Sequence, residues 1–104
     1  MVTISGKHID MTEAMKARIE EKTAKLPRYY NSINEIEVIV DGKEAGNVSV
    51  EIIARAEHNR SFIASEQGLD MYACVDEVVR KVERQLSRHK EKERNNKHSG
   101  SSAA

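Results

Sequence analysis

The chain has 104 residues, a length that builds one domain around a single modest core. With 38% apolar and 33% charged residues, it points to one buried layer interface beneath a large wetted surface. A lone cysteine, Cys74, excludes an internal disulfide framework, and no stretch resembles a signal-peptide core or the ~20 apolar residues of a membrane span, so a soluble cytoplasmic protein with no membrane partner is expected.

"VTISGKH" alternates Val2 and Ile4 with polar neighbours and predicts a short strand. Asp10, with Glu13 three residues on, or Thr12 then caps a helix whose apolar stripe is Met11, Met15, Ile19 and Leu26. Pro27, the only proline, disfavours α conformation in Leu26 and predicts the helix end there, with "YYNS" as a loop. Three strand-like runs follow. "INEIEVIVDG" carries Ile36, Val38 and Val40 on one face and closes on an expected Asp41-Gly42 turn. "NVSVEIIARA" alternates Val48, Val50, Ile52 and Ala54 with Ser49, Glu51, Ile53 and Arg55, and "EHN" joins it to "RSFIASEQG" as a hairpin.

Asp70 caps the last helix, where Met71, Val75, Val78, Val82 and Leu86 recur at steps of four and three and Cys74 and Val79 widen the stripe. Beyond Lys92 nothing large and apolar anchors the chain, so fraying is expected there. Residues 1–94 are read as a single α/β domain and 95–104 as a disordered tail. The order β-α-β-β-β-α predicts an α/β (α+β) two-layer sandwich. Its four-stranded sheet would carry both helices on one face. The helical crossover makes the first two strands parallel, and the remaining strands form an antiparallel meander.

Charge is sorted unevenly along this neutral chain. Arg80 to Lys97 holds eight Lys/Arg against three acids, a local +5 that the other residues offset with −5. At about 100° per residue, Lys81, Arg84, Arg88 and Lys92 form a row beside the apolar stripe of the last helix, with Asp76 and Glu83 pointing to its far side. Arg18, Lys22 and Lys25 form a similar row on the first helix, and Arg28 follows Pro27. A solvated helix face explains one such row, as does the dipole preference for cations at a helix C-terminus. Two rows, both free of interleaved acids in their central turns, favour a surface for a polyanion such as RNA.

Catalytic chemistry is absent from the pattern. Cys74 lies on an apolar helix face, where it packs as a small hydrophobe. His8, His58, His89 and His98 are dispersed without metal-ligand spacing, and no glycine-rich loop cradles phosphate. The expectation is a protein that is no enzyme and has no catalytic residue, metal, cofactor or small-molecule substrate. The aromatics point to backbone or shape recognition more than base stacking. Phe62 reads as core, Tyr29 and Tyr30 as packing residues, and Tyr72 as the tyrosine whose hydroxyl meets a partner.

"GLDMYACVDEVVRKVERQLSRHKEK" resembles the helical signature of the ribosome hibernation promoting factor and ribosome-associated inhibitor family. Shared are "DMY", the apolar residue before Asp76 and a Lys-x-x-Arg-Gln-Leu-x-Lys/Arg-x-Lys series. "MTEAMKARIEEKTAKLPRYY" is similar to the first helix of that family through "AKL" and the tyrosine after it, and "VTISGKHIDMT" to its first strand and cap. The resemblance runs from Val2 to Lys92 and is least specific in the middle strands.

It implies the fold already outlined, similar to a double-stranded-RNA-binding domain with an added first strand. It also implies binding to the small ribosomal subunit near the decoding centre, where basic helix residues contact ribosomal RNA. Messenger and transfer RNA would be blocked and translation inhibited in stationary phase or stress. By motif position the RNA-binding residues are Lys25, Lys81, Arg84, Arg88, Lys90 and Lys92, with Lys22 and Arg28 in support.

Pro27 departs from the family pattern, in which a polar residue is usual. The short neutral tail implies the short form of the family, which acts with a separate ribosome modulation factor to favour ribosome dimerisation. Two other readings stay open. A generic duplex-RNA-binding module would carry lysines where this chain has the acidic "LDMYACVDE" at the start of its last helix. A protein-interaction domain, a transcriptional modulator, is suggested by the older family name of sigma-54 modulation protein.

Overall fold

The computed structural model describes the main chain over residues 1–103 and the side chains over residues 1–93. Four alternating segments build one sheet in the order of the chain: β1 (Val2–Lys7), β2 (Ile33–Gly42), β3 (Val48–Ala56) and β4 (Arg60–Gly68). β1 runs parallel to β2, and the other neighbours are antiparallel. The register places Ile4, Val38, Ile52 and Ala64 in one row across all four strands. Because side chains alternate between faces, the neighbouring row of Thr3, Glu37, Ile53 and Ile63 looks away from the helices. The architecture is the α+β two-layer sandwich expected from the order of elements.

α1 (Glu13–Thr23) starts at Thr12, whose Oγ1 accepts the Met15 N–H at 3.1 Å, so Thr12 rather than Asp10 is the cap. The helix ends at Thr23, earlier than Leu26, and the cause is still Pro27. With no N–H, Pro27 gives the Thr23 carbonyl no i−4 partner, and its ring crowds that oxygen. Pro27 instead sits at the start of a separate turn, α2 (Leu26–Tyr29), where a missing N–H costs nothing. Thr23, fully buried, donates its hydroxyl to Ile19 O at 2.8 Å and so remains satisfied.

The expected Asp41-Gly42 turn does not form. Gly42 stays in β2 opposite Val48, and the chain reverses through Lys43–Asn47, with a 3-10 turn at Glu44–Gly46. Gly42 is there for closeness: a Cβ at this position would lie 2.3 Å from the carbonyl oxygen of His8. The β3–β4 hairpin turns at "EHN" as expected, with His58 and Asn59 at φ of 64° and 58°.

α3 (Met71–Ala103) is capped by Asp70, whose Oδ1 accepts the Tyr72 N–H at 3.0 Å. Its Met71, Cys74, Val75, Val78, Val79, Val82 and Leu86 are all buried, the stripe read from the sequence. Burying each of the larger apolar side chains contributes about 1.5–3 kcal/mol. Burial pushes the Cys74 thiol pKa up, which suits a packing residue. The tail expected over 95–104 lies outside the residues whose side chains are described. Among the described residues, no helix is long and apolar enough to cross a membrane.

Candidate nucleic-acid interface

α3 lays its apolar stripe on β3 and β4, which leaves one of its flanks facing α1 and α2 and the other facing the β4 margin. The cations expected to form continuous rows divide among three places.

The first is the α1–α3 seam. Arg18 donates to Asp76 Oδ2 at 3.2 Å, and Lys22 Nζ lies 3.7 Å from Asp76 Oδ1. The Arg18 guanidinium also sits 6.0 Å from the centroid of the Tyr72 ring. Asp76 therefore does not point to an idle far side. It pairs with Arg18 and Lys22 of the first-helix row from across the seam.

The second is the β4 margin. Lys81 reaches Glu66 Oε2 at 3.1 Å and the Ser65 carbonyl at 2.9 Å, and beside it Gln85 donates to the Ile63 carbonyl at 2.8 Å. The Lys81 ammonium, helped by the Gln67 N–H, holds the Glu66 carboxyl below its ordinary pKa. Lys81 thus fastens α3 to the sheet and stands apart from Arg84 and Arg88.

The third place is the α2–α3 groove, centred on Tyr29, which is 41% exposed. Tyr29 forms part of the wall of three adjoining hollows. One, of about 380 Å³, is lined by Arg80, Glu83, Arg84, Ser87, Arg88 and Glu91. Another, of about 270 Å³, is lined by Lys25 and Arg28. The last, of about 280 Å³, includes Arg28, Asn31, Lys90 and Glu93. Arg80 pairs with Glu77. Lys25, Arg28, Arg84, Arg88, Lys90 and Lys92 have no ion-pair partner among the described residues. Glu83 and Glu91 share the wall of the first hollow with Arg80, Arg84 and Arg88, so the last-helix row is not free of acids.

A network beneath the groove fixes its geometry. Glu93 Oε1 accepts from Arg60 at 2.6 Å and from the Tyr30 hydroxyl at 3.0 Å, and His89 Nε2 lies 3.0 Å away. The Tyr30, Phe62 and His89 rings meet edge to face at centroid separations of 5.3–5.8 Å. The Tyr30 hydroxyl first, then Arg60 and His89, keep the Glu93 carboxyl below the usual glutamate pKa. These contacts tie α2, the β3–β4 hairpin and α3 into one frame. No sequence pattern announced the network, because its members come from three segments far apart in the chain.

The structure therefore gathers Lys25, Arg28, Arg84, Arg88 and Lys90 around one groove, leaves Lys92 exposed further along α3, and sets Lys22 and Lys81 on other flanks against carboxylates. Tyr29, read from the sequence as packing, is the central exposed aromatic of the groove. Cations outnumber carboxylates around this groove, which suits a polyanionic backbone.

Comparison with known proteins gives concordant findings. The family model described as sigma 54 modulation protein / S30EA ribosomal protein matches residues 2–94. A ribosome hibernation promoting factor of Salmonella typhimurium is 36% identical over 92 residues, covering 88% of this chain and 94% of the relative. The protein of the same name from Azotobacter vinelandii is 35% identical over 100 residues, covering 88% and 84%. A solved ribosomal subunit interface protein from Coxiella burnetii shares the fold at a TM-score of 0.77 and 24% identity, over 86% of this chain and 96% of that one.

Proposed function

The chain belongs to the sigma 54 modulation protein / S30EA ribosomal protein family, and from that premise we propose that it is a ribosome hibernation factor acting in the cytoplasm. It binds the small ribosomal subunit in the RNA-lined cleft near the decoding centre. By occupying the paths of messenger and transfer RNA, it inhibits translation in stationary phase or stress. The mechanism is steric and involves no covalent chemistry. Dimerisation of the idle ribosomes is favoured together with a separate modulation factor.

The observation that carries this reading is the groove of unpaired cations around Tyr29. Lys25, Arg28, Arg84, Arg88, Lys90 and Lys92 serve as phosphate contacts. Lys22 and Lys81 join only by exchanging Asp76 and Glu66 for phosphate, and so contribute less. With ~6 phosphate contacts, the logarithm of the binding constant should fall against the logarithm of salt with a slope of about −4 to −5.

Sucrose-gradient sedimentation of ribosomes with and without the pure protein tests the reading. The protein is expected in the small-subunit and whole-ribosome fractions at low salt and at the top of the gradient at high salt. Retention at the top under all conditions, with tight binding to plain RNA duplexes, would instead support a generic duplex binder. Salt-insensitive capture by a protein partner would support an interaction module.

A further inference from the structure

The three tyrosines of the chain have unequal surroundings. Tyr30 is buried, and its hydroxyl is spent on Glu93. Tyr72 is exposed but has the Arg18 guanidinium over its ring. Tyr29, equally exposed, has no hydrogen bond, no aromatic neighbour and no cation over its ring among the described residues. It nevertheless stands where three hollows meet, and their walls carry six cations and three carboxylates. One of those carboxylates, Glu93, is already engaged by Arg60 and His89. An uncovered aromatic ring inside a net-positive rim is the combination that holds single-stranded nucleic acid: the ring takes a base and the rim takes phosphates.

We propose that the Tyr29 groove is a nucleotide subsite, in which an unpaired RNA base stacks on the Tyr29 ring while its flanking phosphates lie against Arg84 and Arg88 on one side and Lys25 and Arg28 on the other. The subsite rests on the ribosomal reading above and deepens it from a charged surface to one defined contact. Glu83 and Glu91 repel phosphate, but a carboxylate beside a stacking ring accepts a hydrogen bond from the exocyclic amino group of a base. Cytosine is therefore favoured over uracil, which has no amino group. The larger hollow, at about 380 Å³, is an open depression with room for one stacked base.

The chain has no tryptophan, so Tyr29→Trp installs a single indole reporter at the subsite. Small ribosomal subunits are expected to quench its emission in proportion to the fraction bound, and oligocytidylate to quench it more than oligouridylate of equal length. Tyr29→Phe should bind subunits as the wild type does, and Tyr29→Ala about tenfold more weakly, the loss of one stacked base. If wild type and Tyr29→Trp co-sediment with subunits, but the indole is unquenched and Tyr29→Ala binds unchanged, the subsite is overturned and the ribosomal reading stands. If nothing co-sediments with ribosomes while oligocytidylate still quenches the indole, the ribosomal reading falls and the subsite stands. Quenching by an acidic peptide but by neither oligonucleotide would overturn the subsite in favour of a protein ligand. Circular dichroism of each variant confirms that an exposed side chain, not the fold, has been changed.

Discussion

The α1–α3 seam and the α2–α3 groove are made from the same materials, basic residues on helix flanks, and they end in opposite electrostatic states. In the seam, Arg18 and Lys22 converge on Asp76, whose side chain is only 28% exposed, and their charge is consumed in joining two helices. In the groove, Arg84 and Arg88 extend past the packed region and Lys25 and Arg28 face them across Tyr29, with no carboxylate in ion-pair reach among the described residues. The lesson is that a count of positive charges does not locate a binding surface. What matters is which of them folding leaves unneutralised. A paired, half-buried cation adds little affinity for a polyanion, because it must lose one partner to gain another.

That contrast breaks most visibly at the groove. Arg84→Glu combined with Arg88→Glu is expected to lower affinity for small ribosomal subunits roughly 100-fold or more, since each charged contact is worth about 1.5–3 kcal/mol. The circular dichroism spectrum should not change, and undiminished co-sedimentation would show that the groove is not the handle. Asp76→Ala probes the seam, leaving two half-buried cations side by side. Stability from urea unfolding should drop by about 1–2 kcal/mol, allowing for solvent screening, while the folded variant still sediments with subunits. A variant as stable as the wild type would show the seam to be neutralised by solvent alone.

Lys81→Ala sharpens the difference between a paired and an unpaired cation on one helix. Its affinity should fall by no more than about threefold, the scale of an exposed ion pair. A loss matching that of Arg84→Ala would place Lys81 among the phosphate contacts. The smallest effect concerns pH. Glu66 and Glu93 both bind protons more weakly in the folded chain than in the unfolded one. Their stabilisation is therefore complete above the ordinary glutamate pKa of about 4.3 and is lost as the pH falls through their lower folded values. The melting temperature should be level near neutrality and decline in acid. Glu93→Gln should make that decline shallower, which separates the floor of the groove from the β4 margin in thermal scans.

Elements governed by local periodicity were legible in the sequence. The alternation of Val48, Val50, Ile52 and Ala54 and the Met71-to-Leu86 stripe each define a face without reference to anything distant, and all of these residues are buried. The Asp41-Gly42 pair misled because an Asp-Gly dipeptide signals a turn by its local chemistry, whereas Gly42 answers to His8, a residue 34 positions away in sequence. The candidate interface was legible only in part for the same reason. A helical wheel correctly sets Asp76 away from Lys81, but it cannot show that α1 docks on that side. Tyr29 looked like packing because its exposure depends on the short turn that Pro27 starts. The Glu93 network depends on the meeting of three segments, a fact of tertiary structure that no single window contains.

Gly42 carries a consequence for how this scaffold tolerates change. A methyl group there would strike the His8 carbonyl at 2.3 Å, so an alanine must either lever the β1 exit outward or spread β2 from its neighbour. The chain leaving β1 leads within a few residues to Thr12, so the displacement would be passed to the start of α1. In a library that samples every amino acid at every position, this one should accept a hydrogen atom and nothing larger, while Gly46, with open space around it, should be limited only by its positive φ.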